Sequence, residues 1–235
     1  MGILVRESRP PLFVMLSPIQ VIVVRTIAPH LENSDFALVG GAALISLGLI
    51  NRRTDDLDFF GSEISVFSER IPDIERDLRA QGFDVSYKRR SPQFVRFEVS
   101  RGGEATEVDF ALDARLFPAE IGVLSPTLSS LELGVDKVLA VFGRAEARDF
   151  SDLAALSKVH SFEQLVALAP KKDPGFSLKI FEQMSHRFEL LDRRSFPVDD
   201  EEYEEITANV TSWRTHCRDE QRHHRDRGPS RNHGR

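Results

Sequence analysis

Cysteine is nearly absent: Cys217 is the single one in 235 residues. One thiol excludes an internal disulfide and any cysteine-based zinc site, and it sets the cytoplasm as the expected compartment. Long apolar runs are lacking too. The N-terminal apolar stretch, Leu12 to Val24, is interrupted by Ser17, Pro18 and Gln20 and is too short to span a bilayer. Its flank mixes Arg6, Glu7 and Arg9 rather than presenting the basic start of a secretory signal. It reads as a buried helix with Pro18 in its first turn, so no membrane partner is expected. No internal repeat is apparent. Four of the seven histidines lie after Trp213, without metal-site spacing.

What the chain does contain is an ordinary globular balance of 41% hydrophobic and 29% charged residues. Its net charge of −6 is uneven. Trp213 to Arg235 carries seven Arg against three acids, about +4, which leaves about −10 for residues 1–212. This C-terminal segment, with few apolar residues, reads as a disordered basic tail over 214–235, suited to holding RNA electrostatically or simply solvated. Helix-period and alternating patterns place helices at Ser17–Leu31, Ala42–Leu49 and Ser65–Gln81. Strands are expected at Phe36–Val39, Asp56–Phe60, Phe83–Arg89, Phe94–Arg101 and Thr106–Leu112. After Pro126 the pattern is helical: Ser129–Phe142, Asp149–Val159, Phe162–Ala169, Leu178–Leu191 and Glu201–Trp213. The expected architecture is α+β, with a sheet domain over 1–125 and a helical domain over 126–213.

The chemistry concentrates in the sheet domain. Asp56 and Asp58 occupy alternate positions of a strand and so share a face. Two like charges side by side are costly unless a cation neutralises them. Hard oxygen ligands in this arrangement suit Mg²⁺, whose remaining positions go to phosphate and water. Upstream, a strand runs into Gly40-Gly41 and then a helix, which offers backbone N–H groups to phosphates. Between these elements lies a loop with Arg52, Arg53 and Thr54. A third acid, Asp109, stands inside the apolar run Val108–Leu112, where an unpaired charge would be expensive. It is the candidate third metal ligand, with Asp113 a weaker one.

A second group of charges follows in the helical part. Lys137 and Arg144 are seven apart and share a helix face. Arg148 and Asp152, four apart, are spaced to pair. A lysine suits triphosphate oxygens, and an acid held by an arginine can orient that lysine or accept a proton.

Gly40-Gly41, Arg52-x-Thr54-x-Asp56-Leu57-Asp58-Phe59, Lys137 and Arg148-Asp149-x-x-Asp152-Leu153 together resemble the AbiEii/AbiGii (MenT-like) nucleotidyltransferase toxins, within the DNA polymerase β-like nucleotidyltransferase superfamily. The similarity spans roughly residues 36–156. It implies a nucleotidyltransferase sheet domain followed by a helical C-terminal domain. It also implies Mg²⁺ on Asp56 and Asp58, triphosphate contacts from Gly40 and Gly41, phosphate binding by Lys137, and Asp152 as a second essential acid. Members transfer NMP from an NTP, some of them to the 3′ end of tRNA, and act as toxins beside a cognate antitoxin in type IV-like toxin–antitoxin or abortive-infection pairs. Thr54 stands where members often carry Ser, which keeps the hydroxyl. Two rivals stand beside this expectation. One is transfer to a small molecule or a protein, favoured by the acidic balance of residues 1–212. The other is a catalytically inactive domain that binds a partner.

Overall fold

The computed structural model describes residues 15–32 and 34–226. The chain divides into two compact units, Met1–Leu133 and Gly134–Arg235. The expected boundary at 125/126 falls earlier than this division.

The first unit is built on a mixed sheet of seven strands in the order β3-β4-β5-β2-β1-β7-β6. Helix α1 (Pro18–Leu31) is followed by β1 (Ala37–Val39), α2 (Gly40–Ser46), β2 (Asp56–Gly61) and α3 (Ile64–Ala80). Strands β3 (Asp84–Ser91), β4 (Phe94–Arg101) and β5 (Glu104–Leu112) form an antiparallel meander. Short strands β6 (Glu120–Ile121) and β7 (Pro126–Thr127) complete the sheet. These last two escape sequence reading because each has two residues and one begins with proline, which normally argues against a strand.

Alternation divides the sheet into two faces. Leu57, Phe59, Val95, Phe97, Val99, Val108 and Phe110 are buried on one face, where α1 and α3 pack. Phe59 and Phe110 stack with ring centres 5.3 Å apart, and Phe97 meets Phe110 edge-on at 6.0 Å. The other face carries Asp56, Asp58, Glu107, Asp109, Arg96 and Phe94. A strand pattern with one apolar face thus both closes the core and leaves a polar surface. Helix α1 starts at a capping box: Gln20 N–H donates to Ser17 Oγ and Ser17 N–H to Gln20 Oε1. Of the expected apolar stretch, residues 12–14 lie outside the described ones. Among the described residues no helix is long and apolar enough to cross a membrane.

The second unit is helical. It takes most of α4 (Ser130–Gly143), then α5 (Ala147–Ser157), α6 (Phe162–Lys172), α7 (Leu178–Ser185) and α8 (Asp200–Asp226). The stretch expected as one helix to Leu191 changes to 3-10 turns at His186–Leu190 and Arg193–Ser195. Gly134 lets α4 approach α6, because a Cβ there would meet Leu165 Cδ2 at 2.6 Å.

Helix α8 corrects the expectation of a disordered tail from residue 214. It continues through the basic segment to Asp226, and residues 227–235 lie outside the described ones. The reason is an apolar stripe that does not stop at Trp213. Ile206, Val210, Trp213 and Cys217 are all buried, at helical spacing. Arg214 is buried as well, donating from Nε to Ser185 Oγ at 2.9 Å and from one terminal nitrogen to Glu189 Oε2 at 2.9 Å. The Arg214 hydrogen bonds hold the Glu189 carboxyl below its ordinary range.

Candidate active site

The turn from β1 into α2 is where the glycines and the acids meet. Gly40 has φ +63°, a conformation that glycine adopts without strain. A Cβ at Gly40 would overlap Asp58 Oδ2, and one at Gly41 would lie 2.8 Å from Thr54 Oγ1. Both glycines are therefore required by close approach, one to the second acid and the other to the loop before the first. Helix α2 has no side chain capping its N-terminus. Thr54 Oγ1 donates to Asp56 Oδ1 at 2.9 Å, which fixes the rotamer of that acid. Arg52 reaches the same corner, 3.4 Å from the Cβ position of Gly41. Gly40, Gly41, Arg52, Thr54, Asp56 and Asp58 are thus assembled in one place, with Asp56 and Asp58 both partly exposed.

Asp109 lies directly beside Asp58 in the parallel register of β2 and β5. Both of its oxygens are engaged: Arg96 donates Nε to Oδ1 at 2.7 Å and a terminal nitrogen to Oδ2 at 2.6 Å. The same guanidinium reaches Glu107 at 3.1 Å. These hydrogen bonds hold the Arg96 pKa well above its already high ordinary value. A bidentate pair of this kind is among the stronger polar contacts. Among the described residues no group of three or more His, Cys, Asp or Glu side chains could hold a metal ion. The donor set that fits a divalent cation here is Asp56 with Asp58. Two carboxylates suit an ion that completes its shell with phosphate and water. Asp109, the third expected ligand, lies beside Asp58 with Arg96 on both of its oxygens.

Sequence reasoning passed over the residue that holds this corner from behind. Gln20 is buried, and its Nε2 donates to the carbonyl of Thr54 at 2.9 Å and to Thr106 Oγ1 at 3.4 Å. Thr106 Oγ1 in turn donates to the carbonyl of Asp55 at 3.2 Å. The backbone entering the acid strand is therefore tied to α1 and β5. Ser17-x-x-Gln20 carried a legible capping-box signal, but only the fold reveals the second partner of Gln20. Elsewhere in this unit, buried Glu132 accepts from the N–H groups of Leu116 and Phe117 at 3.0–3.2 Å.

The second unit holds the other expected residues. Lys137 Nζ lies 2.8 Å from Asp152 and 3.9 Å from Asp149. Asp149 accepts from Arg144 at 2.8 and 2.9 Å and from the Glu146 N–H at 3.1 Å. Both acids have no exposed side-chain surface, and Lys137 is 8% exposed. Lys137 and Arg144 do share a face, and what they share is Asp149. Asp152 was expected to be held by Arg148. Lys137 is a partner of Asp152 at 2.8 Å, and Arg148, which is exposed, reaches Glu146 at 3.1 Å.

Comparison with known proteins agrees with this geometry. The family model described as "Nucleotidyl transferase AbiEii toxin, Type IV TA system" matches residues 22–223. No curated protein matches significantly. Among solved structures, JHP933 from Helicobacter pylori is similar over 91% of this chain and 100% of its own, at 19% identity and a TM-score of 0.53. MenT4, a nucleotidyltransferase toxin from Mycobacterium tuberculosis, is similar over 83% of this chain and 86% of its own, at 16% identity and a TM-score of 0.51. The chain belongs to the AbiEii nucleotidyltransferase toxin family.

Proposed function

We propose that this AbiEii-family nucleotidyltransferase moves NMP from an NTP to the 3′ end of an RNA, with tRNA as the acceptor, and that a cognate antitoxin restrains it in the cytoplasm. The first unit acts as the nucleotidyltransferase domain and the second as the helical domain that follows it. The observation that carries this reading is the contact of Gly40 and Gly41 with Asp58 and Thr54. A Cβ at either position would run into those side chains, and the approach brings the start of α2 against Asp58 and against the threonine that bonds Asp56.

The reaction is in-line displacement. The acceptor hydroxyl oxygen forms a bond to the α-phosphorus, the bond to the β-phosphate oxygen breaks, pyrophosphate leaves, and the hydroxyl proton is released. Gly40 and Gly41 bind triphosphate oxygens through their amides, and Arg52 adds charge to the same oxygens. Thr54 orients Asp56. Asp56 and Asp58 would hold Mg²⁺, which when bound would offset the charge of the phosphates and ease ionisation of the hydroxyl. In the second unit Asp152 holds the ammonium of Lys137, the cation read as a phosphate ligand.

Incubation with each labelled NTP and total RNA, in the presence of Mg²⁺, tests this directly. Label should enter RNA with the unaltered protein and not with Asp58→Ala, while circular dichroism of the two stays the same. Full transfer by Asp58→Ala would falsify the reading. The acidic balance of residues 1–212 favours one competing reading, transfer to a protein or small molecule. Label found there and absent from RNA would select it.

A further inference from the structure

The polar face of the sheet carries more than acids. Asp58, Asp109, Arg96 and Arg89 stand opposite one another in register on β2, β5, β4 and β3. Neighbouring strands are about 4.8 Å apart, so this row leads from the acid pair to the sheet edge within about 15 Å. Phe94 lies on the same face, half-buried, between two cations. The Arg89 guanidinium is 5.2 Å from its ring centre and that of Arg96 is 5.8 Å away. Arg96 is fixed by its fork to Asp109. Arg89 is exposed, and among the described residues no carboxylate comes within ion-pair distance of it. Lys88, next to it, pairs with Glu98 at 2.9 Å.

Core packing does not account for this group. Val95, Phe97 and Val99 point to the buried face, whereas Phe94 stands on the polar one. Of the basic side chains in residues 84–101, Arg90 and Arg101 lie over Tyr87 and Phe83, whereas Arg89 and Arg96 flank Phe94. An aromatic ring flanked by guanidinium groups is the arrangement that stacks an unpaired base and grips the phosphates on either side of it.

We propose that Arg89, Phe94 and Arg96 form a platform for the single-stranded end of the RNA that accepts the nucleotide. Phe94 stacks a base near that end. Arg89 holds a phosphate farther from the end, at the sheet edge. Arg96, whose donors are taken by Asp109 and Glu107 beside Asp58, holds the Phe94 ring in place on the acid side, so the stacked strand is aimed at the acid pair. The platform rests on the nucleotide-transfer reading above.

Binding of a fluorescent single-stranded RNA oligonucleotide to the full chain, followed by anisotropy at several salt concentrations without NTP, separates the two. Phe94→Ala should weaken binding about tenfold or more. Arg89→Ala and Arg89→Glu, both at an exposed position, should lower the slope of log affinity against log salt by about 1, with Arg89→Lys restoring it. In transfer assays the same variants should raise KM for RNA and leave KM for the nucleotide alone. If the unaltered protein labels RNA and all of these variants keep its RNA affinity and KM, the platform is overturned and the transfer reading stands. If the unaltered protein neither binds nor labels RNA, both are overturned.

Discussion

The two units each contain a pair of aspartates close in sequence, and they treat the charge in opposite ways. In the first unit Asp56 and Asp58 are partly exposed on a sheet face, pressed against glycines and a threonine hydroxyl. In the second, Asp149 and Asp152 have no exposed side-chain surface and are held by Arg144, Lys137 and a backbone N–H. Burying a carboxylate is tolerable only with such partners. On the reading proposed above, the first pair exchanges its partners for a bound cation and substrate, whereas the second ties its own helices together and holds Lys137. Acids at one level of sequence signal can therefore differ in whether their loss is felt in chemistry or in stability.

The largest expected effect separates the two most sharply. Asp149→Ala removes a fully buried acceptor from the half-exposed Arg144 and from the Glu146 N–H and weakens the surroundings of Lys137, at a cost of about 3 kcal/mol. Urea denaturation should report that loss. Asp58→Asn should stay within about 1 kcal/mol of the unaltered protein, as expected for a half-exposed position, yet lose transfer activity by about a hundredfold or more, the scale of several kcal/mol of charge stabilisation. If Asp58→Asn unfolds the protein, or Asp149→Ala leaves its stability unchanged, the contrast between the units fails.

Gln20→Leu comes next. It removes the donor that satisfies the buried Thr54 carbonyl, at a cost of about 1–3 kcal/mol. Because the bond fixes the backbone that enters the acid strand, KM for the nucleotide should rise beyond what lost stability explains. Gln20→Glu, which keeps the size but not the donor, should fail to rescue it. A normal KM in Gln20→Leu would make this residue a purely structural one. Gly40→Ala is expected to cost about 1–2 kcal/mol for the left-handed backbone alone. It should also displace Asp58 and reduce transfer, measured alongside Gly48→Ala, which meets the same backbone demand away from the acids.

Much of this was legible. The strand pattern, the paired acids and the glycines place the polar face and its corner without coordinates, because alternation and close approach are local properties. Family membership was legible from ordered motifs along much of the chain. What escaped was set by distant partners. Gln20 and Thr54 are 34 residues apart, and nothing in the strand of Asp109 announces its partner Arg96. The helical extension past Trp213 was masked by arginines, although Val210, Trp213 and Cys217 keep the apolar spacing on one side of them. Composition outweighed periodicity in that segment, and periodicity was the better guide.

The smallest expected effect tests how tightly the second unit is sealed, which the buried treatment of its acids requires. Burial pushes the Cys217 thiol up to about 12, from an ordinary value near 9. A folded-state value above the unfolded one means the thiol contributes stability that is fully present below pH 9 and fades as pH rises toward 12. Denaturation midpoints of the unaltered protein should therefore fall relative to Cys217→Ala between pH 9 and pH 11. Below pH 9 the difference between the two should stay constant. At pH 8 a thiol reagent should react with Cys217 only as fast as the helices open, and quickly in urea. Rapid reaction in the native protein would mean that water reaches this interior, and the sharp distinction between an open pair of acids and a sealed one would have to be softened.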